Sequence, residues 1–490
     1  MRYTKLFSLL LTFFLLIQIS CKKDFVDKSP VSDLTSENYY TTGDRLEKVL
    51  IGAYNIFQTE YYQYDIYMNT DGRSDNCYIN GDNATAEWPL ENFTYNSTNG
   101  NITRDWGYLY NTIKYTNVVL ENIPKVVSDP AFTTDVKNHI NGEAKFLRAF
   151  AYFQLVTLWG DCPLVLTSNN GGNYFPARSS TTDVYAQIVA DLKDADATLK
   201  ATPYNGEVGR VTKGAADALL AKVYAQMGDY TNCLTYCDAV INGPYSLVSN
   251  YANLWGEANK NNSESIFEIQ HQADNAGLWG SELFDYVTSD NWPKRNTPAQ
   301  SLIDAFKAEG DTVRLKASIV FQNVSIPFNF PVGAYNTAIT PLPFPNKLPG
   351  ADGSWNRGED QTMIRLADII LLKAEALNQT GQTAQAIPLI NSIRLRAGVS
   401  GTTATSQGDV ATVILNERRL ELAFEGHRWN DLLRADKNGT INIISLLNGL
   451  SGAAGPLNYN LNADRHQLLF PIPLQDLQIN KNLVQNPGYN

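Results

Sequence analysis

Histidine is scarce, with four residues in 490, and cysteine nearly so, with five. No CxxC pair and no Cys/His cluster occurs, so a structural zinc site is not expected. Cys233 and Cys237 lie four apart in a helical pattern, which reads as small apolar residues buried on one face. Basic charge is also in short supply. Lys and Arg number 39 against 50 Asp and Glu, for a net charge of −11. A polyanion needs a basic surface to displace its counterions, so nucleic acid is a disfavoured partner. Anionic lipid headgroups are disfavoured for the same reason. Long apolar runs are missing as well, with one exception at the N-terminus.

That exception has a recognisable layout. Arg2 and Lys5 precede an apolar run from Leu6 to Ile19, which closes on Ser20-Cys21. A basic start, a run of 14 apolar or small residues and a small residue before the break make an export signal. The run is shorter than the roughly 20 residues a membrane-spanning helix needs. A cysteine directly after the small residue predicts acylation of its thiol, so residues 1–20 read as a lipoprotein signal and Cys21 as the lipidated first residue. Gln18 departs from the aliphatic residue usual three before such a cysteine. Loss of Arg2 and Lys5 takes the net charge to −13.

About 470 residues follow, enough for a large core. Helical periodicity recurs in pairs. Glu143–Trp159 stops at Gly160, and Ser180–Leu199 follows it. Ala215–Met227 stops at Gly228 and is followed by Thr231–Ile241. Leu366–Gln379 breaks at Gly381 and resumes over Ala384–Ala397. Small Ala residues, a Leu/Ile stripe and a glycine stop describe tetratricopeptide-like hairpins. The spacing is irregular. The expected fold is therefore mainly α: a helical-hairpin scaffold with long loop-rich insertions and a few short strands. Residues 21–250 read as an N-terminal helical region, 251–360 as a loop-rich insertion, and 361–490 as a C-terminal helical region with a tail.

Residues 54–115 hold 14 aromatic residues, about twice the chain-wide 11 %. Asn, Asp, Gly and Thr interleave them. A pyranose presents an apolar C–H face and a rim of hydroxyls, so rings flanked by amides and carboxylates suit it. Tyr54, Phe57, Trp106, Tyr110 and Tyr115 fall on helical stripes and are read as core. Tyr64, Tyr67, Tyr78, Trp88 and Tyr95 are read as ligand contacts, with Asp71, Arg73, Asp75 and Asn76 as polar partners. A second cluster holds Trp279, Tyr286 and Trp292, with Asp285, Asp290 and Asn291 among them.

Two stretches invite other chemistry. Asn69–Asn76 alternates oxygen ligands as calcium loops do. However, it contains Arg73 and has Asn80 at the twelfth position, so a hydrogen-bonded loop beside the ligand site is the preferred reading. Asn416–Arg434 carries Glu417, Glu421, Glu425 and His427 beside Arg418, Arg419 and Arg428. Read as one helix, the glutamates fall at i, i+4 and i+8, the spacing of ion pairs rather than of acid/base catalysis. Leu420, Phe424 and Trp429 are then expected to face the core, and the helix to clamp the two halves of the scaffold. No cofactor and no metal is called for.

A set of motifs runs nearly end to end. It includes Cys21-Lys22-Lys23-Asp24-Phe25, Trp106-Gly107-Tyr108 running to Asn117, and Ala144–Phe153 closing on Trp159-Gly160-Asp161. Gly209–Ala216, Arg365–Asp368 and Lys373–Ala376 continue it. Asn416–Arg434 and Asn486-Pro487-Gly488-Tyr489 complete it. In this order they resemble the SusD/RagB (starch-utilisation D-like) family of surface lipoproteins. The resemblance implies a non-catalytic receptor anchored to the outer membrane by its N-terminal lipid and exposed on the cell surface. Its implied partners are an oligosaccharide and a SusC-like TonB-dependent transporter. Lys22, Lys23 and Asp24 then resemble the charged stretch that directs such proteins outward. A peptide-capturing RagB-like receptor and a surface glycoside hydrolase stay as alternatives. The hydrolase would need two carboxylates about 5–9.5 Å apart across a cleft.

Overall fold

The structure is a computed structural model. It describes residues 39–80, 86–273, 294–322, 342–347, 358–449, 451–452, 455–456 and 465–489. Cys21 and the signal sequence lie outside these residues. The main helices of the scaffold are α1 (Gly43–Tyr54), α2 (Gly100–Asn122), α3 (Thr134–Trp159), α4 (Thr181–Thr198), α5 (Lys213–Met227) and α6 (Tyr230–Ile241). After the insertion come α7 (Leu366–Gln379), α8 (Thr383–Arg396), α9 (Gln407–Glu421), α10 (Arg428–Lys437) and the short α11 (Leu474–Ile479).

Local chemistry sets the helix ends. The Ser180 and Thr212 side chains cap α4 and α5 by accepting backbone N–H groups of the first turn. Gly160 and Gly228 end α3 and α5 at φ 74° and 84°, a region most side chains avoid. Consecutive helices pack in pairs, and α6 also packs on α7, so the two helical regions share one scaffold. Gly142 lets α3 approach the end of α4. A Cβ there would lie 2.7 Å from Thr198 Oγ1.

Buried ion pairs bind the helices together. Arg148 on α3 grips Asp191 of α4 through Nε at 2.8 Å and Nη2 at 2.7 Å, and its Nη1 reaches Asn117 of α2 at 2.8 Å. Arg418 of α9 holds Asp368 of α7 at 2.7 Å and Asp431 of α10 at 2.9 Å. Asn486 in the tail donates to the carbonyls of Trp159 and Phe470 at 2.8 and 2.7 Å.

Six of the strands among the described residues form three short antiparallel ribbons. β1 (Cys77–Asn80) pairs with β3 (Lys294–Pro298), and β2 (Ser265–Ile269) with β6 (Gln361–Arg365). β4 (Ile319–Gln322) pairs with β5 (Leu342–Pro345). The architecture is mainly helical with few short strands.

Two expectations change. Asn416–Arg434 is not one helix: α9 ends at Glu421 and α10 begins at Arg428. Between them Phe424 and Gly426 take φ values of 64° and 77°, which no helix allows. Leu420, Phe424 and Trp429 are buried as the pattern implied. Tyr115 is not core. It is 40 % exposed and lies over the flat surface left by Gly52.

Candidate ligand-binding site

The register of the β1–β3 ribbon brings two distant parts of the chain together. Tyr78 lies opposite Thr297 and Asn80 opposite Lys294. The flanks of both aromatic clusters therefore meet at one end of one ribbon, 214 residues apart in sequence. Trp279, Tyr286 and Trp292, with Asp285, Asp290 and Asn291, lie outside the described residues.

Trp88 begins a single helical turn, Trp88–Glu91, with Pro89 fixing its first position. Two bonds hold this turn. Glu91 accepts the Ile79 N–H of β1 at 2.7 Å, and Asn99, the cap of α2, donates to the Ala86 carbonyl at 2.8 Å. The Trp88 ring is half-buried, one side packed on the main core. Among the described residues its buried indole N–H has no hydrogen-bond partner.

A cleft of ≈ 300 Å³ opens beside this turn. Ala86, Pro89, Thr94, Asn96, Thr98 and Asn99 line it. The walls offer hydroxyls, amides and backbone groups with no ionisable side chain but Tyr95. Tyr64 is the second half-buried ring. Arg104 sits 5.7 Å from its centroid, five residues along α2 from Asn99, a rise of about 7.5 Å. Arg104 is itself held by Asp65 and Asp105. Burial and the neighbouring Asp65 carboxylate push the Asp105 carboxyl well above the usual range.

The other expected contacts are placed differently. Tyr67, Tyr78 and Tyr95 are buried, and Asp71, Arg73, Asp75 and Asn76 are buried with them. Groups of the C-terminal half, Arg419, Arg428 and Gln467 among them, fold over this stretch. Asp75 forms a two-point pair with Arg428 and a 3.2 Å contact with Arg419. Burial opposes its charge, but the two guanidiniums outweigh that and hold its carboxyl at about 2. Asn76 accepts from Arg419 at 3.0 Å and donates to Asp71 at 3.1 Å. Asp71 also accepts the Gly426 N–H at 2.6 Å, and burial pushes its carboxyl up to about 7. Among the described residues no group of three or more His, Cys, Asp or Glu is placed to hold a metal.

Arg73 lies in an aromatic cage. Its guanidinium carbon is 4.2 Å from the ring centroids of both Trp429 and Phe470, with Phe93 and Tyr95 slightly further away. It donates to Tyr95 Oη at 2.8 Å and to the Gln467 carbonyl at 2.9 Å. These contacts tie the tail to the N-terminal half.

The glutamates of the 416–434 stretch face arginines. Glu417 meets Arg314 and Arg394, and Glu421 meets Arg314, Arg365 and Arg396. Glu425 meets Arg365 and Lys347. All are buried, and the arrangement clamps the insertion to the C-terminal helices. The amide and hydroxyl cleft at Thr94–Asn99 is what sequence reasoning missed. Its signal was the Asn/Thr alternation just after the aromatic cluster.

Two family models match the chain. One, for the SusD family, covers residues 329–489. The other, described as starch-binding and associating with the outer membrane, covers residues 24–225. The chain belongs to the SusD/RagB family. A SusD-like protein of Formosa agariphila is 25 % identical across 99 % of both chains. The starch-binding protein SusD of Bacteroides thetaiotaomicron is 24 % identical over 71 % of this chain and 72 % of its own. A solved laminarin-binding SusD-like protein is 26 % identical and superposes with a TM-score of 0.75, covering 91 % of this chain and 99 % of that one. The family motifs largely coincide with the buried pairs above: Arg148, Asn117, Asp368, Arg418 and Asn486 all hold the scaffold rather than face the cleft.

Proposed function

We propose that the protein captures oligosaccharide at the surface of the outer membrane and passes it to a SusC-like TonB-dependent transporter. Cys21 anchors it there through lipid. The observation that carries the ligand class is Trp88. Its half-buried ring belongs to the turn whose neighbours Ala86 and Pro89 line a cleft walled by neutral amides and hydroxyls. A sugar ring packs its C–H face on the indole and bonds its hydroxyl rim to such groups. Tyr64 supplies a second ring. Trp279, Tyr286 and Trp292 are proposed to add contacts from the neighbouring segment.

Relatives named for starch and laminarin binding set the first panel. Retardation of the wild type in native gels containing starch, laminarin or other polysaccharides is the expected result. Migration unaffected by every polysaccharide contradicts the proposal. Shortening of the bound glycan during incubation would point to a hydrolase instead. Loss of membrane association on Cys21→Ser tests the anchor.

A further inference from the structure

We propose that Tyr174 and Phe175, with the cleft beside them, form a second contact surface for a neutral polysaccharide, separate from Trp88. The inference rests on the glycan-binding reading above and extends it from a short oligosaccharide to a polymer.

Tyr174 is 73 % exposed and Phe175 48 %. Adjacent large aromatics so open to water are costly unless something covers them. Residues 167–176, Thr-Ser-Asn-Asn-Gly-Gly-Asn-Tyr-Phe-Pro, contain no charged side chain. The tail fixes the backbone under the rings. Asn482 donates to the Phe175 carbonyl and Asn480 to the Pro176 carbonyl, both at 2.7 Å. Asn173 accepts the Phe175 N–H at 3.3 Å.

One of these tail residues, Asn482, also lines a cleft of ≈ 530 Å³, within the range of small-ligand sites. Arg178, Asn482, Val484, Gln485 and Asn486 line it. Its polar groups are already held in place. Gln485 bonds both backbone groups of Ile472, at 2.7 and 2.9 Å. Arg178 donates to the Asp161 and Val484 carbonyls at 2.8 Å and to Asn486 Oδ1 at 2.5 Å. Asp161 accepts the Thr181 N–H at 2.8 Å. Exposed rings on a held backbone, beside a concave wall carrying the amides of Asn482, Gln485 and Asn486, suit a sugar chain better than a flat protein surface.

The position supports a shared ligand. The tail touches the Trp88 cleft region where the Leu474 N–H meets the Ser97 carbonyl at 2.8 Å. It reaches the ring pair through Asn480 and Asn482, after the six residues of α11. That helix rises only about 9 Å. A polymer of several sugar units spans both surfaces, while a di- or trisaccharide occupies one. Linking two weak contacts on one ligand raises avidity without any new contact.

The test is the double variant Tyr174→Ala/Phe175→Ala, made at exposed positions so that its unfolding midpoint stays at the wild-type value. Two readouts are compared: gel retardation by the polysaccharide that the wild type binds, and calorimetry with a trisaccharide cut from it. The expected result is at least about tenfold weaker polymer binding with unchanged trisaccharide affinity. Trp88→Ala weakens both. Unchanged polymer binding in the double variant overturns the inference while leaving the Trp88 site standing. Lost co-purification with the transporter, with polymer binding intact, overturns it in favour of a protein contact. A wild type that binds no polymer overturns the glycan reading itself.

Discussion

Arg428 lies flat against Asp75, 353 residues away, with Nε–Oδ1 at 2.7 Å and Nη2–Oδ2 at 2.8 Å. Both side chains are almost wholly out of water. Arg419 shares the same carboxylate. Removing one partner of such a pair strands the others in the interior, at a cost of about 3–5 kcal/mol. Asp75→Asn, which keeps shape and volume, is expected to cost about that much in urea unfolding. A loss below about 1 kcal/mol would mean that the pair does not hold the two halves together.

Arg73 presents the opposite case, a buried cation whose described neighbours are rings and two oxygens. Its Nε and Nη1 have no hydrogen-bond partner. Burial draws its pKa down. Packing of the guanidinium against Trp429 and Phe470 is the larger contribution here. Arg73→Ala therefore opens a cavity and costs about 3 kcal/mol. Arg73→Met fills the space and removes an uncompensated charge, so its cost is expected to be less than half as large. Tyr95 still donates to the Gln467 carbonyl in that variant. Denaturant unfolding of both variants checks the ranking, and equal losses would assign the stabilisation to the charge.

His139 on α3 gives the stability a pH dependence. Its Nδ1 faces Glu143 at 2.7 Å and its Nε2 faces Glu47 of α1 at 3.0 Å, while Tyr204 stacks on the ring at 3.6 Å. Arg210 pairs with the same two glutamates. Burial works against the imidazolium, but the two carboxylates outweigh it and raise its pKa to about 9. Below about pH 6.5 both folded and unfolded chains carry this proton, and its stabilisation is complete. Between about 6.5 and 9 only the folded chain holds it, so stability falls as pH rises, by up to ~3 kcal/mol. Urea midpoints at pH 6, 7.5 and 9 should decline for the wild type. His139→Gln should flatten this part of the curve.

The helical scaffold was legible because its signals are local. Periodic Leu, Ile and Ala and the stops at Gly160 and Gly228 act within a few residues. The break after Glu421 was less so. Gly426 marks it, but its turn is fixed by Asp71, 355 residues away. The burial of the polar stretch at 71–76 was not legible for a related reason. Alternating Asp, Arg and Asn looks solvent-facing until Arg419, Arg428 and Gln467 are brought onto it. Residues 416–434 hold four arginines and four acidic residues, so the local charge count gives no sign that Arg419 and Arg428 pair with Asp75. Trp88 and Tyr64 keep half-buried rings, Tyr64 beside Arg104 of α2.

The central claim is that Trp88 and its neutral cleft hold sugar. Calorimetry with an oligosaccharide from the polysaccharide that retards the wild type tests it most directly, run on the wild type, Tyr64→Ala and Trp88→Ala. Loss of a stacking ring from a ligand site costs about 2 kcal/mol or more. Trp88→Ala should therefore weaken binding by at least about thirtyfold, with Tyr64→Ala less severe and the unfolding midpoints of both close to wild type. Wild-type affinity in both variants would contradict the account.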